Sequence, residues 1–186
     1  MLIVSVIIKN ILDLYIIMLL FRCWMILVLE DDYNPLVKLI IKITQPLLNP
    51  LQYFVPLSYQ TLEINSIVIA FFLTIIKYLT MSFLLGNKYE FISMNIFMIG
   101  IISLIKIAGS LVLWIILVQR IIKLLNQGYH PLAHIFTKLT EPILSPIRNH
   151  IPPIGCIDLS PFMVVLLIYF LNDLGLNIFP KLWPVL

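Results

Sequence analysis

Charge is scarce in this sequence. Asp, Glu, Lys and Arg make up 11% of 186 residues, against about a quarter in ordinary soluble domains, so charge cannot be what solvates most of its surface. The formal net charge is only +3, from 12 basic and 9 acidic residues. That excess is too small for a nucleic-acid footprint, and no nucleic-acid partner is expected. Cysteine is equally sparse. Cys23 lies in an apolar block and Cys156 in a loop, with no C-x-x-C pair, so a structural disulfide is not expected. The six glycines stand singly, which excludes a phosphate-cradling loop. H-E-x-x-H and G-x-S-x-G are absent too. The Ser, His and carboxylate groups of residues 126–160 could form a triad only in the sense that any loop of that composition could. The chain is expected to be non-enzymatic and without a cofactor.

His130 and His134 are four apart, with His150, Glu141 and Asp158 in the same loop, but Pro131 makes His130 a pre-helix residue and spoils the one-face geometry a ligand pair needs. No metal is expected.

What the chain has in abundance is apolar side chains: 61% of residues are hydrophobic and the mean hydropathy is +1.07. They gather into four blocks, residues 3–29, 64–86, 95–125 and 161–180, each long enough for the roughly 20 residues a bilayer crossing requires. The first block is expected to be a retained span and not a cleaved leader, since Lys9, Asn10, Asp13 and Arg22 interrupt it and no small-x-small site follows. The first and third blocks are overlong and should tilt or extend past the membrane surface. A break of the third near Gly100 or Gly109, giving a re-entrant piece, is the alternative.

The loops between blocks repeat. Residues 34–50 and 130–146 align at a constant offset of 96, which pairs Pro35, Leu36, Lys42, Thr44, Pro46, Leu48, Pro50 and Pro56 with identical residues. The chain is therefore an internal duplication. The first unit covers 1–86 with its loop at 30–63, a connector 87–96 follows, and the second unit covers 97–186 with its loop at 126–160. The expected fold is an all-α membrane protein with four transmembrane helices, arranged as two tandem helix-loop-helix repeats with amphipathic interfacial loop helices. Two crossings per unit give both units one orientation, a parallel repeat.

Each loop should open with a short helix at Pro35 or Pro131, capped by Asn34 or His130. Lys38, Lys42 and Gln45 fall on one side of the first such helix and Leu36, Leu39, Ile40 and Ile43 on the other. Thr-x-Pro-x-x-x-Pro follows in both loops, as Thr44, Pro46, Pro50 and as Thr140, Pro142, Pro146. Each proline removes a donor and clashes with the turn before it, so the segment is expected to be an irregular corner. In the second loop Ser160 before Pro161 reads as a helix cap, and Asp158 adds negative charge near the positive helix end.

Glu141-Pro-Ile-Leu-Ser-Pro-Ile-Arg148, Ile151-Pro152 and Gly155-x-Ile157-Asp158-Leu159-Ser160-Pro161, with Asp13-Leu14-Tyr15 and Leu20-Phe21-Arg22-x-Trp24 in the first block, resemble the signature of the YggT family of small bacterial inner-membrane proteins. The first unit departs from it, with Pro50-Leu51-Gln52 and Gln60-Thr61-Leu62-Glu63 where the second has Pro146-Ile147-Arg148 and the Gly-x-Ile-Asp turn. The resemblance implies a multi-pass protein of the inner membrane. It also implies a role near osmotic and potassium homeostasis or the assembly of membrane complexes. The expected function is a non-enzymatic accessory or scaffold protein; the alternative is a subunit of an ion or small-solute transporter or channel. Membrane lipids and other membrane proteins, or further copies of the chain, are the expected partners, with Arg148, Lys138 and Lys42 as candidate contacts.

Charges inside the blocks are expensive, on the order of 3 kcal/mol each by the lower estimates. Lys9 and Asp13, four apart, are expected to pair. Arg22 and above all Lys77 lie deeper; Lys77 meets either a buried partner or a cavity, or, as the commoner outcome, snorkels to an interface. Arg22, Lys77 and Asp173 lining one cavity would favour transport. Basic residues are concentrated on the loop side, as Lys38, Lys42, Arg120, Lys123, Lys138 and Arg148, against Lys9, Lys88 and Lys181 on the other. The long loops are therefore expected to be cytoplasmic and the termini periplasmic.

Overall fold

The computed structural model describes residues 2–29, 35–52, 59–85, 96–125, 131–151, 158–180 and 183. They form six helices, α1 (Leu2–Leu29), α2 (Pro35–Gln52), α3 (Tyr59–Leu85), α4 (Ile96–Leu125), α5 (Pro131–His150) and α6 (Ser160–Ile178), with no strand among the described residues. Four of them contain stretches long and apolar enough to cross a membrane: Ser5–Leu29, Asn65–Leu84, Ile96–Leu125 and Ser160–Ile178. Phe72, Phe83, Phe97 and Trp114 stand exposed on these helices, a surface that lipid solvates and water does not. The fold class read from the sequence is the one observed.

The third apolar block is one continuous helix, α4, and its glycines do not break it. Gly100 serves close packing instead: a Cβ there would lie 2.9 Å from the ring of Phe71 on α3. At Gly109 a Cβ would make ordinary contact, 3.8 Å from Ile168.

Packing divides the chain into Met1–Ala108 and Gly109–Leu186, so the division falls inside α4, while the sequence repeat divides at residues 87–96. In the first unit α1 packs chiefly on α3, and Ile16, Leu19, Leu48, Ile69, Ala70 and Ile107 form a core. Ser66, Ala70 and Thr74 recur every four residues on the buried face of α3. Small residues at that spacing let helix backbones approach where apolar burial gives no net drive. In the second unit Ile116, Leu144 and Val164 form the core, backed by Val112, Ile143 and Ile168.

The two loop helices correct the expected irregular corner. α2 begins at Pro35 and runs through Pro46 to Gln52; α5 begins at Pro131 and runs through Pro142 and Pro146 to His150. The spacing explains why. Residues four apart share a helix face, and Pro46, Pro142 and Pro146 are exposed, so the carbonyls they leave unbonded open away from the packed side. The opposite face, Leu48 and Thr44 in α2 and Leu144, Thr140 and Leu139 in α5, is buried and holds the helix against its unit. The expected caps Asn34 and His130 lie outside the described residues, as does Cys156.

Candidate functional site

In the first unit Lys77 and Arg22 each meet a protein group, although Arg22 Nε is buried with no partner among the described residues. Lys77 does not snorkel: its side chain is 1% exposed and its Nζ lies 2.7 Å from Asp13 Oδ1. Asp13 therefore pairs across to α3 and not with Lys9 one turn before it, because a 1%-exposed ammonium gains far more from the carboxylate than one that can reach water. The Lys77 ammonium also sits 4.6 Å from the centre of the Tyr78 ring, and the Tyr78 and Ser103 hydroxyls are 3.0 Å apart. Nine residues after Asp13 on α1, Arg22 is buried and donates from Nη1 to Thr44 Oγ1 at 2.7 Å. That hydroxyl donates in turn to the Ile40 carbonyl at 2.8 Å, which leaves its lone pairs directed at the guanidinium. Thr140, the repeat partner of Thr44, back-bonds in the same way to the carbonyls of Phe136 and Thr137, at 3.0 Å each.

The candidate site is in the second unit, where the prolines of α5 lead to Arg148 and the chain then returns at Asp158 to start α6. Asp158 Oδ2 accepts from Arg148 Nη2 at 2.8 Å and Nε at 3.1 Å, and from Arg120 Nη2 on α4 at 3.3 Å. Arg148 Nη1 reaches Glu141 Oε1 at 3.2 Å, seven residues back along α5. One carboxylate thus ties α4, α5 and the start of α6 together. Arg148, expected to face lipid phosphate or a partner, is engaged inside the unit. Lys138 and its repeat partner Lys42 are exposed, and so is His134, while His150 Nδ1 lies 2.8 Å from the Pro146 carbonyl.

The cap expected at Ser160 is supplied by Asp158. Its Oδ1 accepts the Ser160 backbone N–H at 3.0 Å, whereas the Ser160 hydroxyl is buried with no partner among the described residues. Pro161, in the first turn, lacks an N–H where none is needed. The side chain of Asp158 reaches the first helical N–H because it precedes Ser160 by two residues, the geometry of an Asx turn.

Burial pushes the Asp158 carboxyl up, but hydrogen bonding from Ser160 and the charge and hydrogen bonds of Arg148 outweigh it and hold the pKa at about 2. The folded value lies below the unfolded one, so the unfolded chain binds the extra proton between the two. The stabilisation is fully present above pH ~4 and is lost as pH falls towards about 2; it amounts to at most about 2 kcal/mol. Asp158→Asn should remove this pH dependence and lower stability by about 1–2 kcal/mol, while Ser160→Ala, which deletes a hydroxyl that acts only through its proximity to the Asp158 carboxylate, should cost less. Unfolding in mixed micelles followed by circular dichroism across pH 2–6 checks both; a larger loss in Ser160→Ala would restore the serine as the cap.

Two participants carry no site signal of their own in the sequence. Arg120 counted only towards charge asymmetry, and Thr44 only as part of a proline motif; the identity of Thr44 and Thr140 within the repeat was the signal that could have found the latter. Asp173 is exposed on α6 and makes no ion pair among the described residues.

The family described as CCB3/YggT matches residues 1–84 and 98–179, one match per repeat. An uncharacterized protein encoded in the proC 3′ region of Vibrio alginolyticus is 34% identical over 179 residues, covering 96% of both chains. The uncharacterized protein YggT of Escherichia coli K12 is 32% identical over 186 residues, again covering 96% of both. An uncharacterized Haemophilus influenzae protein is 27% identical over 96% of this chain. No solved structure matches.

Proposed function

The chain belongs to the CCB3/YggT family, and from that premise we propose that it is a non-enzymatic accessory or scaffold protein of the bacterial inner membrane, contributing to ion or osmotic homeostasis or to the assembly of membrane complexes. The observation that carries this reading is that the conspicuous charges are closed onto protein groups. Lys77 meets Asp13, Arg22 meets Thr44, and Arg148 meets Asp158 and Glu141. Such contacts brace helices; a conduction path needs charged groups left open to a solute. The docking surface is then the exposed side of α5, with Lys138 as the contact and Arg148 as the residue that holds the helix in place, and Lys42 is its counterpart on α2.

Affinity purification of the full chain from native membranes tests it. A defined membrane-protein partner, or a second copy of the chain, should co-purify and be lost in Lys138→Glu but kept in Lys138→Arg. Flux of ions or small solutes through liposomes containing the purified chain alone would favour the transporter reading and overturn this one.

The proposed orientation puts both loop helices on the cytoplasmic side, where each Lys or Arg gains about 1 kcal/mol from the anionic leaflet. Single cysteines, Lys38→Cys and Lys138→Cys in a Cys23→Ser, Cys156→Ser background, should resist an impermeant maleimide in intact spheroplasts and label after permeabilisation. Rapid labelling of both would reverse the orientation. Labelling of one alone would overturn the even number of crossings per unit.

A further inference from the structure

We propose that the slot between α4 and α6 in the second unit holds one acyl chain of an anionic glycerophospholipid whose phosphate rests on Arg120. The slot has a volume of about 230 Å³. Leu113, Ile116 and Leu117 on α4 and Phe162, Val165 and Tyr169 on α6 line it, with Pro161 and Arg120 at one end. Leu117, Phe162 and Tyr169 are more than half exposed on helices long enough to cross a membrane, so the slot opens towards lipid.

Its polarity runs in one direction. Arg120 and Pro161 mark the loop end, and Leu113 and Tyr169 lie two turns deeper, roughly 10 Å at 1.5 Å per residue. One leaflet of hydrocarbon is about 15 Å thick, half of roughly 30 Å, so the slot matches the upper part of a single lipid chain. A slot of about 230 Å³ does not take in a helix, whose diameter with side chains is about 10–12 Å.

The charge at the mouth selects the headgroup. Asp158 is already held by Arg148 at 2.8 Å, and Arg120 reaches it through one N–H at 3.3 Å. The other N–H groups of Arg120 have no partner among the described residues. Lys123 follows three residues later on α4, near enough to interact electrostatically with Arg120, Arg148, Asp158 and Glu141. Arg120 is the charged group that lines the slot, and with Lys123 and Arg148 it belongs to a cluster of three cations and two carboxylates; a phosphodiester on Arg120 completes that balance while its acyl chain fills the slot.

This site stands independently of the scaffold reading, and its test involves no protein partner. The full chain in detergent is titrated with dioleoyl phosphatidylglycerol or dioleoyl phosphatidylcholine, and bound lipid is counted by native mass spectrometry. One phosphatidylglycerol should bind per chain about fivefold more tightly than phosphatidylcholine. Arg120→Gln should abolish the preference, Arg120→Lys should keep most of it, and Leu117→Trp, at an exposed position where it should not disturb folding, should weaken both lipids. Equal binding of the two lipids to the unaltered chain, or an intact preference in Arg120→Gln, overturns the proposal. So does competition by inorganic phosphate with no effect of Leu117→Trp, which would mean that no chain enters the slot. A dimer that Leu117→Trp dissociates would give the slot to a second copy instead.

Discussion

Asp13→Asn should destabilise the first unit by about 3 kcal/mol, the largest single loss expected in this protein. Removing one partner of a buried ion pair leaves the other charge uncompensated, at a cost of about 3–5 kcal/mol. The lower end applies because Asp13 is 28% exposed while Lys77 is 1% exposed. The asymmetry gives the prediction its direction. After Asp13→Asn the Lys77 ammonium stays buried and keeps, among the described residues, only neutral acceptors, the amide oxygen of the new side chain and the Tyr78 ring. After Lys77→Met the Asp13 carboxylate keeps access to its surroundings and has Lys9 one turn away, so that variant should lose clearly less. The double variant Asp13→Asn, Lys77→Met should recover to within about 1 kcal/mol of the parent, because a matched apolar replacement of a buried pair is often neutral. Denaturant titration in mixed micelles measures all three. A loss under about 0.5 kcal/mol in Asp13→Asn would mean that the pair contributes little, and equal losses in the two single variants would contradict the burial asymmetry.

Thr44→Val and Thr140→Val form an internal control that the duplication supplies. Both threonines are fully buried, at equivalent positions of the repeat, and both back-bond to the preceding turn. Only Thr44 also receives a guanidinium N–H, from Arg22. A hydrogen bond to a charged group contributes about 1.5–3 kcal/mol, and a buried charged donor left without an acceptor costs at least as much. Thr44→Val should therefore cost about 2–3 kcal/mol and Thr140→Val under about 1, since the latter loses only a back-bond that strains its helix. The same unfolding assay decides it, and Arg22→Met in the Thr44→Val background should return most of the loss. If the two threonine variants cost the same, the Arg22 contact is not what holds Thr44.

The site was legible in composition and illegible in connection. Arg148, Asp158, Ser160 and Pro161 stand in one loop of the sequence and do come together, but their roles were exchanged. The hydroxyl expected to cap α6 does not make the cap, and the carboxylate expected to act only through its charge does. Which of two neighbouring side chains reaches a helix N–H depends on the backbone turn between them. Arg148 read as a free contact because its acceptor lies ten residues away across a turn that has no periodic signature.

The sequence by itself determined the membrane class, the four apolar spans and the duplication, because hydropathy block lengths and an exact residue offset are properties of the chain that no packing can alter. It also determined where the loop helices begin, at the aligned Pro35 and Pro131. Tertiary structure alone decided that those helices continue through their prolines, since a local propensity for breaking yields when the broken face is exposed and the opposite one is packed. It alone decided that Lys77 finds Asp13 across a separation of 64 residues. Pairing of buried charges is set by which faces two helices turn to each other, and that choice is made by the summed contacts of Ile16, Leu19, Ile69 and Ala70 in the core and not by any spacing along the chain.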